Sequence, residues 1–353
     1  DQTGKTSPIF ENPLGLFCEP EQRAMLADEF KVDPRFVPVI RSRWVQNRLD
    51  KYGNDPTQFS VIKLYPSIVD QVGISQTSPA DENTQDVSVL VGKTDIRVLD
   101  QLAQSDPDAY VYSGTLNAST QGVFDFVEMF KAPKKLLHPL LTATQEHRYE
   151  GSERVGAQPY HGLILAHSNE DEWQTFRAAK GNEALVSRTT LIRVPYCLRV
   201  SEEKKIYEKN FSTSAYKDAP CAPGTYELMA QLAVMSRLEP MADTPILLKM
   251  KVYDGESLQG KVPDSSYKPI HEYREKAGVN EGMRGVHTRF CFQALERTYE
   301  YNSEEVSANP VTLLRVLKDQ IKKESLPKDL EDKYLGFIKD PIDVTTLAKV
   351  PND

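Results

Sequence analysis

The chain has 353 residues, 39% hydrophobic and 27% charged, with a formal net charge of −8. This is the balance of an ordinary water-facing globular protein with room for one large or two ordinary domains. The acidic excess argues against a protein whose main business is contact with nucleic-acid phosphates, so no nucleic-acid partner is expected. No apolar run approaches membrane-spanning length, and the polar first residues give no sign of a signal peptide, so no membrane anchor is expected. Cys18, Cys197, Cys221 and Cys291 lie far apart and form no C-x-x-C. Neither structural zinc nor a disulfide framework is expected, and a reducing cytoplasm is the expected location.

The first line, DQTGKTSPIFENP, begins with Asp rather than Met, and the chain is expected to be part of a longer protein. Gly4-Lys5-Thr6 has the ending of a phosphate-binding loop. Such a loop needs a helix after it, and Pro8 and Pro13 with Asn12 between them deny it one. The triplet is therefore read as an extended loop. SQTSPADENTQD, residues 75 to 86, reads as a loop that separates the first 74 residues from the next apolar run. Four apolar segments then carry strand character: VSVLVG, GVFDFVEM at 122 to 129, GLILAHSN at 162 to 169 and TLIRVPY at 190 to 196. Between them KKLLHPLLTATQE places Leu136, Leu137, Leu140 and Leu141 on one helical face. Strands alternating with helices predict an α/β layered sheet.

Beyond Pro195 the pattern turns helical. SEEKKIYEKN is a helix, and TYELMAQLAVMSRL sets Leu228, Leu232 and Met235 on one stripe. NPVTLLRVLKDQIKK opens with Asn309 as N-cap and Pro310 in the first turn, followed by Leu313, Leu314, Leu317 and Ile321. A domain boundary is expected near Pro195 to Ser201.

The line that carries chemistry runs from Ser113 to Asn169. An apolar strand ending in acidic residues, then a helix, then a second apolar strand ending in a polar residue, is the order of a Walker B strand and a sensor strand. A carboxylate at a strand's C-terminal end can orient an attacking water, and the neighbouring strand can supply an amide to position it. Each residue also has a plainer reading. Asn169 is a common turn residue, a surface arginine such as Arg188 is usually solvated, and Asp125 is as well suited to a structural or solvated place as to a metal. On one continuous strand Asp125 and Glu128 would point to opposite faces. HEYREK at 271 to 276 lacks the second histidine of a zinc-protease motif, and the six histidines show no ligand spacing.

The stretches FVEMFKAPKKLLHPLLTATQE, LILAHSNEDEW, VPYCLRVSEEKKIYEK, CAPGTYE, KVYDGES and EGMRGVHTRF resemble the AAA+ module of the PrkA family, bacterial proteins labelled serine protein kinases. The resemblance covers residues 7 to about 339. It implies an α/β fold: a P-loop-NTPase-like parallel sheet without its first P-loop strand and helix, followed by an α-helical lid. The domains would be an α/β core over 1–198, a helical lid over 199–339 and a divergent tail over 340–353. Gly4-Lys5-Thr6 falls downstream of where the family has its phosphate loop.

The resemblance further implies ATP and Mg²⁺ as cofactors, and catalytic roles for three residues. Glu128 stands at the Walker B glutamate, Asn169 at the sensor and Arg188 at the arginine that reaches a neighbour's γ-phosphate in a ring. Arg289 stands at the lid arginine that senses nucleotide, with Arg284 the weaker competitor. Val127 occupies the place of the usual Walker B aspartate, which leaves Asp125 as the candidate Mg²⁺ and nucleotide ligand. The expected function is ATP hydrolysis coupled to acting on protein substrates in bacterial stress or starvation regulation, by a homo-oligomeric ring. An ATP-dependent protease, or a non-catalytic scaffold, is the alternative. The glycine-rich loop, strand lysine, H-R-D and D-F-G elements of ordinary protein kinases do not appear.

Overall fold

The computed structural model describes residues 4–78, 86–104, 106–152, 155–302, 304–324 and 326–339, with the side chain of Asp264 excepted. The proposed tail 340–353 lies outside these residues. Among the described residues seven strands are formed: β1 (Ile74–Thr77), β2 (Lys93–Thr94), β3 (Tyr110–Val111), β4 (Val123–Val127), β5 (Arg148–Glu150), β6 (Ala157–Pro159) and β7 (Leu163–His167). Strands β1, β4 and β7 make one sheet in the order β1-β4-β7, parallel throughout, while β2–β3 and β5–β6 are short antiparallel pairs.

The alternation of β4 explains its place at the centre. Phe124 and Phe126 point to one face and are fully buried. They pack with Leu136, Leu137 and Leu140 of the helix Lys134–Gln145 and with Trp173 and Phe176 of the helix Glu170–Ala178. Burying a large apolar side chain contributes roughly 1.5–3 kcal/mol each, so this face holds the sheet to its helices. In register on the opposite face lie Gln76, Asp125 and Leu165, and Leu165 is half exposed.

Three segments differ from their sequence reading. VSVLVG forms the short helix Ser88–Val91, closed by the Gly92 N–H on the Ser88 carbonyl, with Leu90 and Val91 buried. A short continuous apolar run fits a buried helix as well as a buried strand, and here the helix wins. TLIRVPY forms no strand. Pro195 lacks a donor for a ladder, and Ile192 and Val194 stay exposed at 75% and 81%, so their β-branched preference finds no partner surface. The polar run from Ser75 is not all loop, because Ser75 to Thr77 belong to β1. Ser75 is buried there and donates its hydroxyl to the Thr115 carbonyl at 2.8 Å, which satisfies a polar residue on an inner face. Residues 79 to 85 of that run lie outside the described residues. After Thr6 there is no helix before the 3₁₀ turn Pro13–Phe17, as the prolines require.

The chain divides into two compact units, Asp1–Leu191 and Ile192–Asp353. The second is helical. Its centre is the helix Thr225–Arg237, buried at every position from Leu228 to Arg237, as expected of a helix surrounded by others. Around it pack the helices Val200–Phe211, Ile246–Asp254, Thr288–Tyr299, Pro310–Lys323 and Lys328–Phe337. The Asn309 side chain caps the fourth of these by accepting from the Thr312 N–H at 2.8 Å. No helix among the described residues is long and apolar enough to cross a membrane.

Candidate functional site

In open parallel sheets, ligands bind where the strands end at their carboxyl termini. Glu128 follows β4 directly, and Val127 is in register with His167, the last residue of β7. Ser168 and Asn169 therefore leave β7 beside Glu128. The sheet thus brings the predicted glutamate and the predicted sensor asparagine to one end of neighbouring strands.

Glu128 does not continue the strand. Its backbone is left-handed (φ 52°, ψ 42°), a conformation that costs a non-glycine residue on the order of 1–3 kcal/mol and that collects at functional sites. The alternation that would send Asp125 and Glu128 to opposite faces therefore stops at Val127. The chain then makes one 3₁₀ turn, Met129–Lys131, with the Lys131 N–H on the Glu128 carbonyl at 3.0 Å. That turn returns Lys131 over the carboxylate: Nζ lies 2.9 Å from Glu128 Oε2 and 3.2 Å from Glu172 Oε1. The two carboxylates, Glu128 ahead of Glu172, hold the Lys131 ammonium above the usual lysine range.

Packing fixes the partner. Phe130 sits 5.1 Å from the Trp173 ring and 4.6 Å from the Phe176 ring, which pins the helix Glu170–Ala178 against the turn. Asn169 is the N-cap of that helix, yet its side chain makes no capping hydrogen bond. The cap is made from the other side. Glu172, three residues on, accepts from the Ser168 hydroxyl and the Asn169 N–H, and the Ser168 bond leads in holding its carboxyl below the usual range. The Asn169 amide is thus not consumed in capping, and the residue is exposed.

Lys131, Glu172 and Ser168 were missed by the sequence reading, although a signal was present. Asn169-Glu-Asp-Glu172 is the spacing of a capping box, and Lys131 stands one tight turn after Glu128.

Asp125 is placed differently from its predicted role. It lies in the middle of β4, about 10 Å along the strand from Glu128 at roughly 3.3 Å per residue. Its carboxylate accepts from Gln76 Nε2 at 2.9 Å and lies 3.7 Å from His167 Nε2. A divalent cation at the strand end would need oxygens that converge there. Asp125, held by Gln76 in the middle of the strand, does not converge with Glu128 on such a site.

Arg188 follows the short helix Glu183–Val186. Its guanidinium donates to the Ala184 carbonyl at 2.6 Å and to Gln145 Oε1, with Nε at 3.0 Å. With Thr144, Gln145 and Ser187 it lines an open cleft of about 430 Å³. The strand expected to follow it is absent.

Arg289 belongs to the helical unit and is exposed, as is Arg284. It is the second residue of the helix Thr288–Tyr299, whose N-cap His287 accepts from the Phe290 N–H through Nδ1 at 2.9 Å. A cation in a first turn opposes the helix dipole, and an anion held there would relieve that cost. The segment leading into this helix is clamped. Gly285 has φ 114°, and a Cβ there would lie 2.7 Å from the Ser236 carbonyl oxygen, so only glycine passes this close. The Val286 N–H meets Ser236 Oγ at 2.9 Å, and the Val286 carbonyl accepts from Arg237 Nε at 3.0 Å.

Two family descriptions match the chain. The PrkA AAA domain matches residues 3–244, and the PrkA serine protein kinase C-terminal domain matches residues 247–347. The division between them falls inside the helical unit. The chain is 50% identical over 336 residues to a protein of Escherichia coli (strain K12) named serine/threonine kinase YeaG, covering 95% of this chain and 52% of that protein. It is 35% identical over 341 residues to a protein of Bacillus subtilis (strain 168) named ATP-dependent protease PrkA, again covering 95% of this chain and 52% of that one. The chain therefore spans about half the length of these curated relatives. A solved structure of NtrX from Brucella abortus aligns at 8% identity with a TM-score of 0.33, over 74% of this chain and 57% of that one. The match over residues 3–244 and the identity to both relatives make the chain a member of the PrkA family, with an AAA-type α/β unit followed by a helical one.

Proposed function

We propose that this chain carries the water-activating part of an ATP-hydrolysing site, and that Glu128 is the residue that orients the attacking water. The observation that carries the reading is the placement of Glu128: a carboxylate at the C-terminal end of the central parallel strand, in a strained left-handed backbone, next to the end of the strand that delivers Asn169. Hydrolysis of a γ-phosphate needs little covalent chemistry from protein; it needs positioning and charge. Glu128 accepts a hydrogen bond from water and aligns it, and the Asn169 amide holds the water or the phosphate from the side. Within the helical unit, Arg289 is the residue proposed to sense nucleotide. Arg188 supplies positive charge across a ring interface to a second copy, which first requires breaking its bonds to Gln145 and Ala184. ATP is the nucleotide, and the protein works in the cytoplasm on protein substrates.

The test is ATP turnover by the protein as its gene encodes it. Glu128→Gln should lower kcat by about 10²–10⁴-fold, the usual range for removing a general base. Unchanged turnover would sink the assignment.

A second reading concerns output only, because the two relatives carry different names, a kinase and a protease. Incubation with labelled ATP and casein separates them. Label appearing on casein supports phosphotransfer, and ATP-dependent release of peptides supports proteolysis.

A further inference from the structure

We infer that Lys131 is a positioning residue for hydrolysis: it turns Oε2 of the Glu128 carboxylate toward itself rather than toward the attacking water, and Glu172 competes with Glu128 for the same ammonium. This rests on the reading of Glu128 given above.

The competition is visible in the distances. One ammonium lies within hydrogen-bonding or ion-pairing range of two carboxylates, at 2.9 and 3.2 Å. The two are not held alike. Glu172 is fixed by the Ser168 hydroxyl on its other oxygen, by the Asn169 N–H, and by a helix pinned through Trp173 and Phe176. Glu128 hangs from a one-turn loop, and Lys131 donates to its carboxylate at 2.9 Å. The lone pair of Glu128 Oε2 that faces the ammonium is not available to water, so this oxygen is diverted from orienting water while Lys131 holds it. With three donors on a flexible stem, Lys131 can lean onto Glu172 and release Glu128 without leaving the cluster.

Exposure supports exchange over bracing. Lys131 is 45% exposed, Glu128 34% and Glu172 22%, and pairs this wet are weak enough to swap. Glu172 also starts one residue after the Glu170 and Asp171 pair, in the helix that Asn169 opens.

Opposite signs are the signature. In the gene-encoded protein, steady-state ATP turnover is measured for Lys131→Met, Glu172→Gln, the double variant and Glu128→Gln. Lys131→Met should raise kcat, and Glu172→Gln should lower it, each by about 3- to 10-fold with KM for ATP nearly unchanged, in keeping with surface-pair energies. The double variant should match Lys131→Met, because Glu172 acts only through the lysine. A merely structural cluster would move both single variants in one direction, or leave the Glu172→Gln effect intact in the Lys131→Met background, and either result overturns the proposal. If Glu128→Gln turns over ATP at the parental rate, the underlying reading falls and takes the proposal with it.

Discussion

Arg237 and Glu203 meet at 2.9 Å inside the helical unit with both side chains fully buried. The guanidinium also donates to the Cys197 and Val286 carbonyls, each at 3.0 Å, and Glu203 also accepts from the Tyr207 hydroxyl at 2.8 Å. A buried ion pair of this kind gives little net stability over an apolar replacement, but removing one partner strands the other's charge. Arg237→Met should therefore cost about 3–5 kcal/mol in urea unfolding of the helical unit. Adding Glu203→Leu should restore part of that loss, since the stranded carboxylate goes with it.

Burial should also write a pH signature into the first unit. Glu11 accepts from the Ser7 hydroxyl at 2.8 Å, from the Ser42 N–H at 3.0 Å and from the Ser42 hydroxyl, yet burial outweighs these bonds and raises its carboxyl above the ordinary value of 4.5. The folded state thus holds this proton more tightly than the unfolded one. The stabilising contribution is complete below pH 4.5 and is lost as pH rises through the raised value. Thermal melts of the parent and of Glu11→Gln across pH 4 to 8 should diverge, with the parent losing Tm relative to the variant as pH rises. Parallel curves would exclude Glu11 as the source.

Gly122 enters β4 so close to Gly73 that a Cβ would lie 1.7 Å from the Gly73 carbonyl oxygen. That oxygen accepts the Val123 N–H at 2.8 Å, the first bond joining the segment before β1 to β4. An alanine cannot be placed without separating the two strands. Gly122→Ala should cost about 2 kcal/mol or more in chemical denaturation, at the upper end of overpacking effects. A cost below 0.5 kcal/mol would mean the two segments part easily.

Where local chemistry alone decides an element, the sequence was readable. The N-cap Asn309 with Pro310, the Leu313 to Ile321 stripe and the alternation of Val123 to Val127 each state their structure within a few residues, and Asn309→Ala should cost about 1 kcal/mol as caps do. The short apolar runs were less readable, because VSVLVG and TLIRVPY carry the composition of strands while their fate depends on what lies beside them. β1 was hidden for the opposite reason: Ser75-Gln76-Thr77 is polar, and only its parallel pairing with Phe124-Asp125-Phe126 of β4, distant in sequence, makes it a strand. At the candidate site the sequence named Glu128 and Asn169, and their meeting at adjacent strand ends follows from strand order. It could not show that the backbone turns left-handed at Glu128, which brings in Lys131 and Glu172 and leaves Asp125 behind on the strand.

The most direct measurement is the fate of bound nucleotide in the Glu128→Gln variant of the gene-encoded protein. After incubation with ATP and rapid separation from free nucleotide, the retained pool should be ATP, whereas the parent under the same conditions should retain ADP. ADP accumulating on the variant as fast as on the parent would contradict the role given to Glu128.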